Sequence, residues 1–436
     1  MKTLFYKYKR YVNLVLLWLP IIIYRTCFWI STTTNIFPDS YSYMTYPFSS
    51  LIMGRLSART PVYPFVIRVF LKFMGEAYYL EGITVFQSIL SFVAVVYLYK
   101  ICKLFSLKKL FTIVLVYLYG LNTSVIGWDR AILTESIALS LIVISFYYTF
   151  DFIKSCSLKS AVIAQVIVFI MVFERPSSVI YWLMINCFLT IFGMKNKIPK
   201  LQFAFLTTAI TSLIIIVYMT VFYQQFGIFS LTDAVPRQHL IVIMEKGYYK
   251  SSSDKVFKEK IESLMKEYPG DTWAAMWKVL DEYGNKNISK LTKECYQKNI
   301  KEFTIDRVHQ VIQDFNYDYI SGYYISKDSN NGLLIKAVML VGSLFRSSVR
   351  STFIMLTVLI ALLVKDILDK RLKWISLGLI ASLVGTFYIA YYGTCGEYPR
   401  TMLCVVPISF IALVYILNQC NSLNGEKDCL SFGRRK

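Results

Sequence analysis

The sequence predicts an all-α polytopic membrane protein: a bundle of about 10 transmembrane helices, with interfacial helices in the first external loop and a helical external insertion. Three observations lead there. Hydrophobic residues make up 56% of the 436-residue chain and charged residues only 17%, for a mean hydropathy of +0.50. The apolar residues gather in runs of about 20, the length that crosses roughly 30 Å of hydrocarbon. Lysine and arginine collect in short clusters between those runs, as in the cytoplasmic loops of membrane proteins.

The runs are unbroken rather than alternating. In lipid a backbone must satisfy its own polar groups, so they are expected to be helices and not barrel strands. The spans are expected near 11–31, 81–101, 110–128, 132–152, 160–173, 178–194, 201–223, 351–367, 374–393 and 402–418. The basic start (Lys2, Lys7, Lys9, Arg10) lacks a small-residue cleavage site after its apolar stretch, so the first span is expected to be retained. The 160–173 run is short, and with Glu174-Arg175-Pro176 it reads as one arm of a broken hairpin. Three regions follow: a transmembrane core over 1–223 with spans 1–7 and an external loop at 32–80, an external helical insertion over 224–350, and the last transmembrane helices with a short cytoplasmic tail over 351–436.

Charge sets the orientation. One set of span ends carries Lys2/Lys7/Lys9/Arg10, Lys100/Lys103/Lys108/Lys109, Lys154/Lys159, Lys195/Lys197/Lys200, Lys365/Lys370/Arg371/Lys373 and Arg434/Arg435/Lys436. By the positive-inside rule both termini are expected to be cytoplasmic, in a plasma (inner) membrane, with an even number of spans. The same distribution explains the +20 formal charge as a topology signal, and no nucleic-acid partner is expected. The nine cysteines form no CxxC pair, so neither a disulfide framework nor a zinc site is indicated. With only His239 and His309 in the chain, a histidine-rich metal centre is not expected either.

On the opposite face, the 32–80 loop alternates Leu51-Ile52-Met53 and Phe65-Val66-Ile67 with Arg55, Arg68 and Lys72, the pattern of helices lying in the interface. In the insertion, Val256/Phe257, Ile261, Leu264/Met265 and Tyr268 recur at helical spacing. Asp271 is placed to cap a following helix that carries Trp273, Met276, Trp277 and Leu280. Further helices are expected near 289–303 and 305–320.

Function is sought where charge is costly. An ionisable group on the apolar part of a span costs roughly 2.5–3.5 kcal/mol and normally faces a cavity or a partner. Under this topology Arg25, Asp39, Arg59, Asp129, Arg130, Glu135, Glu174, Arg175, Glu397 and Arg400 all fall at the external level, which predicts a shared polar cavity. Asp39 lies in Pro38-Asp39-Ser40 just after the first span, with Tyr43 beside it and Arg59-Thr60-Pro61-Val62-Tyr63-Pro64 about twenty residues on. Each carboxylate and each arginine also has a structural reading, as an ion-pair partner or a head-group contact.

These residues resemble the GT-C superfamily of membrane glycosyltransferases, in particular family 39-like proteins related to protein mannosyltransferases and aminoarabinose transferases. The resemblance rests on Asp39 in the first external loop, the basic-Pro-x-Tyr pattern at Arg59–Tyr63, Leu133-Thr134-Glu135 opening the fourth span, and Glu397-Tyr398-Pro399-Arg400 before Pro407. It covers residues 5–220 and, more loosely, the last three spans. The chain departs from the family in ending soon after its tenth expected span and in placing its insertion before the eighth.

The resemblance implies a polyprenyl-linked sugar as donor, a glycan, lipid or protein as acceptor, and the lipid bilayer as partner. Asp39 would be the general base, and Glu135 a second catalytic acidic group. Arg59, Arg175 and Arg400 would bind the donor phosphate. Tyr43, Tyr63, Asp129, Arg130 and Glu397 would contact or support the acceptor; no cofactor is implied beyond a divalent metal on the carboxylates. Two alternatives stay open: an O-antigen polymerase or ligase, and a lipid-linked glycan flippase.

Overall fold

The computed structural model describes residues 2–198, 201–315, 324–325, 332–346, 351–368, 374–395 and 398–422. Apart from one two-residue ladder, the regular structure among them is helical. The first half holds α1 (Lys2–Ser31), α2 (Pro38–Met44), α3 (Phe48–Ile52), α4 (Val62–Leu104), α5 (Lys109–Gly120), α6 (Thr123–Ile126), α7 (Glu135–Ser155), α8 (Leu158–Glu174), α9 (Val179–Lys195) and α10 (Gln202–Phe226). Next come α11 (Ala234–Glu245), α12 (Lys255–Glu267), α13 (Thr272–Lys298), α14 (Ile300–Phe315) and α15 (Gly332–Arg346). Last are α16 (Ser351–Leu368), α17 (Trp374–Gly393), α18 (Tyr398–Thr401) and α19 (Val405–Ser422).

A helix lies over each expected span. Among the described residues, 6 helices are long and apolar enough to cross a membrane, or up to 7 if α5 and the Thr123–Arg130 segment, bent by 43°, count as one. The apolar part of α1, Val15–Ser31, is shorter, and α8 has only 17 residues. This is an all-α protein with the helices of a membrane-embedded chain. Packing orders them: the most apolar window is 78% buried in α7 and also in Met402–Gln419, but 17% in α10. The first two helices form the protein's own centre, whereas α10 shows Leu206, Leu213, Ile216 and Val217 outward.

The 32–80 stretch is helical as expected, in α2, α3 and the start of α4. Gly75 interrupts α4 with φ 70 and ψ 175, a backbone geometry that side chains disfavour. The arm before it exposes Phe65 and Phe73, and α3 ends on exposed Ile52. The Glu174-Arg175-Pro176 break is also present. Arg175 is extended (φ −143, ψ 106) and a 3-10 turn, Pro176–Ser178, leads into α9, because proline disfavours helix in the residue before it.

The 224–350 stretch packs in two parts. Helices α11–α14 bury a separate hydrophobic core around Leu240, Phe257, Ile261, Met276 and Phe303, and Asp271 caps α13 by accepting from Ala274 N at 3.0 Å. That helix continues to Lys298 through a break at Gly284, so the helix expected near 289–303 ends earlier and α14 begins at Ile300; residues 316–320 lie outside the described residues. Its last helix, α15, instead joins the main core. Tyr24 Oη donates to Val338 O (3.2 Å), and a Cβ on Gly342 would meet Thr123 Cγ2 at 2.5 Å, so only glycine permits that approach. A ladder ties the two regions further: β1 (Thr32–Thr33) pairs antiparallel with β2 (Tyr324–Ile325).

Candidate active site

The site is assembled at one end of the bundle, where α1 and α8 finish and α7 begins. Proline at the first position of α2 is pre-set for a helix start, and Phe37 N donates to Ser40 Oγ at 2.9 Å. Asp39 therefore occupies the first turn, where a carboxylate meets the positive end of the helix dipole. Its side chain stays 43% exposed.

Arg59 reaches Asp39 from the other limb of the loop. Its Nη2 donates to Asp39 Oδ1 at 2.6 Å, its Nε donates to Ser42 Oγ at 2.9 Å, and the guanidinium lies 4.7 Å over the Tyr43 ring. Tyr43 packs edge-on against Tyr63 at 5.2 Å. Tyr63, buried in the first turn of α4, donates its hydroxyl to Gln87 Oε1 at 3.0 Å. The basic-Pro-x-Tyr pattern thus delivers one guanidinium to the carboxylate and one phenol ring to support it.

Below Asp39 the charges continue inward. Arg400, on α18, lies with Nη2 3.5 Å from Asp39 Oδ2, and its Nε donates to Glu135 Oε1 at 2.7 Å. Glu135, at the first position of α7, has only 2% of its side chain exposed. The same Oε1 is 3.0 Å from Arg175 Nη1. Glu135 Oε2 and both oxygens of neighbouring Glu174 are buried without a hydrogen-bond partner among the described residues. A ladder of alternating charge therefore runs from a half-exposed carboxylate to a fully buried one.

Seven of the expected site residues are brought together: Asp39, Tyr43, Arg59, Tyr63, Glu135, Arg175 and Arg400. Asp129 and Arg130 go elsewhere. Asp129 Oδ1 accepts from Ser136 Oγ at 2.6 Å and its Oδ2 lies 3.5 Å from Arg25. Arg130 binds Glu81 (2.9 Å), Thr84 Oγ1 (2.8 Å) and Thr32 O (2.8 Å), and stacks on Trp29. Both hold the turn between α6 and α7 rather than facing Asp39. Glu397 lies outside the described residues.

The sequence reading missed several contributors. Gln87, on α4, donates to Asp129 O (3.1 Å) and Ala131 O (2.8 Å) while accepting from Tyr63. A fully buried glutamine within an apolar span was the available signal, since buried amides must find partners. Arg307 of α14 donates to the Tyr398 hydroxyl, with its guanidinium 5.0 Å over that ring, and so positions the short helix that carries Arg400. Asp233 and Arg237 at the start of α11 pair at 2.9 Å. Burial pushes the Asp233 carboxyl above its usual range, with Arg237 and Arg59 opposing the shift.

Among the described residues no group of three or more His, Cys, Asp or Glu side chains could hold a metal ion, and Glu135 is engaged by two guanidinium groups. This donor set does not fit a divalent cation. What it fits is an anion at the guanidinium groups, next to a carboxylate that can take a proton. The chain matches no sequence profile of a known protein family, and no curated protein matches it by sequence.

Proposed function

We propose that the chain is an integral-membrane inverting glycosyltransferase of the GT-C kind. It would move a sugar from a polyprenyl-phosphate-type carrier to a hydroxyl at the extracytoplasmic face, with Asp39 as general base. The observation that carries this reading is the convergence of Asp39, Arg59, Arg400, Arg175 and Glu135 from separate segments into one connected cluster that opens at Asp39. In this reading the helices form about 10 spans in a plasma membrane, both termini are cytoplasmic, and the cluster faces outward.

The chemistry follows from the geometry. Arg59 holds Asp39 Oδ1 at 2.6 Å, leaving Oδ2, with its longer 3.5 Å contact to Arg400, to receive a proton. As the acceptor oxygen attacks the anomeric carbon, its proton passes to Asp39. The bond from that carbon to the carrier's phosphate oxygen breaks, and the electron pair leaves on the phosphate. Attack opposite the leaving group inverts the anomeric centre. Phosphate needs no strong acid to depart; Arg59, Arg400 and Arg175 supply preorganised positive charge for it. Glu135 keeps the Arg400 and Arg175 side chains in place, and Tyr43 and Tyr63 support Arg59.

The test compares a strain lacking the protein with strains restored by wild type or Asp39→Asn at equal membrane abundance. Envelope glycans and lipid-linked sugars are then profiled by mass spectrometry. A sugar addition that returns with wild type and not with the variant upholds the reading, and the mass difference gives the sugar class. Full restoration by Asp39→Asn overturns it.

A further inference from the structure

The start of the external layer is stitched to the loop that carries Arg59. Gln225 Nε2 donates to Gly54 O (2.6 Å), Leu56 N donates to Gln225 Oε1 (2.7 Å), and Thr232 Oγ1 donates to Ala58 O (2.8 Å). Asp233 follows directly, paired across one turn with Arg237. Both lie within electrostatic reach of Arg59, and Arg237 also of Asp39. The Arg237 guanidinium sits 5.1 Å over the ring of Trp277.

Trp277 is unusual for its layer. Its neighbours Met276, Val279 and Leu280 turn into the core, yet Trp277 remains 42% exposed and Trp273, one turn earlier on the same face, 49%. On the guanidinium over this ring, Arg237 Nε is buried with no hydrogen-bond partner among the described residues. A large, rigid, half-exposed ring with a guanidinium over it, that guanidinium paired in turn with a carboxylate, matches a pyranose. The C–H face of the sugar packs on the indole, and its hydroxyls bridge to the polar edge.

Resting on the transferase reading, we infer that Trp277, Arg237 and Asp233 form a saccharide subsite beside Asp39, so that the acceptor is a glycan. The test applies the full-length protein in lipid nanodiscs to an array of immobilised bacterial-envelope oligosaccharides. Wild type and Asp39→Asn are expected to bind a common set. Trp277→Ala is expected to bind that set about 30-fold more weakly, the size of an aromatic hot spot, and Trp277→Phe to restore most of the binding. This pattern upholds the subsite whether or not sugar transfer is detected; absence of transfer counts against the transferase reading alone. Unchanged binding in Trp277→Ala, or no oligosaccharide bound by folded wild type, overturns the subsite. Unchanged binding with weaker retention in nanodiscs identifies Trp277 as a membrane-interface anchor instead.

Discussion

Two charge clusters stand at the same end of the bundle, built from the same side chains, and they end differently. Around Arg130, both terminal guanidinium nitrogens are taken by Glu81 (46% exposed), Thr84 and the Thr32 carbonyl, the ring of Trp29 lies beneath, and Nε alone of the guanidinium nitrogens is buried without a partner among the described residues. Its partners knit the end of α1 and the middle of α4 to the turn before α7. Around Asp39, charges are linked in series from one carboxylate to the next through shared guanidinium groups, and Glu135 and Glu174 keep three buried oxygens without partners among the described residues. A closed cluster satisfies the backbone and fixes geometry. An open one retains capacity for a ligand, at a cost in stability that the closed cluster helps offset.

The sharpest way to break this comparison is to exchange one group in each. Asp39→Asn is expected to lower sugar transfer by about 10²–10⁴-fold, the usual weight of a general base. Its midpoint of thermal unfolding should hardly move, because a half-exposed ion pair contributes about 0–1 kcal/mol. Arg130→Met should do the reverse. It strands the Thr32 carbonyl, costing about 1–3 kcal/mol for a buried group left unsatisfied, whereas Thr84 Oγ1 keeps its bond to the Glu81 carbonyl; transfer per folded molecule stays near wild type. Thermal unfolding in nanodiscs alongside a transfer assay reads both; a stability loss with Asp39→Asn and an activity loss with Arg130→Met would dissolve the distinction.

Glu174→Gln sharpens the comparison from within the open cluster. The substitution keeps the volume and removes an ionisable carboxyl whose two oxygens are buried with no hydrogen-bond partner among the described residues. It is therefore expected to raise stability by about 1 kcal/mol at a pH where the carboxyl would otherwise ionise, since a buried charge is costly unless paired. A fall instead would mean that the carboxylate is needed by a bound ligand or by water.

The smallest effect is pH dependence in the layer formed by α11–α14. His239 Nε2 donates to the Tyr392 carbonyl oxygen at 2.7 Å, and burial lowers its pKa below the ordinary value of 6.5. The neutral ring donates to that carbonyl. As pH falls below about 6.5, the unfolded chain takes up the proton first, so stability declines until the folded pKa is passed. Replacing His239 with Gln keeps a donor and should flatten the thermal profile between pH 7 and pH 5, to about the width of measurement error.

Much of this was legible in the chain because it depends on local pattern. Apolar run length gave helices where spans were expected, Pro176 broke the hairpin at Arg175, and Asp271 capped α13. Asp39, Arg59 and Tyr63 were legible as a group because one short loop carries them. Asp129 and Arg130 were less so. Their spacing resembles that of the site residues, but which way a turn points its side chains depends on what packs against it, here Gln87 and Asn35, whose backbone pairs with the Arg130 carbonyl (2.8 Å) and with Ile132 N (3.0 Å).

The sequence by itself determined the all-α, membrane-type architecture, the helical character of the insertion and the kinds of charged group available at one end. Hydropathy and helix signals act over a few turns, so they can be read without a partner. Only the tertiary structure decided that Arg400 meets Asp39 and Glu135 across more than two hundred residues of chain. It also decided that α15 leaves the α11–α14 layer for the main core, and that Arg237 stands over Trp277. Charge pairing and ring stacking act over a few ångströms in space and carry no fixed separation along the chain, so packing alone selects the partner.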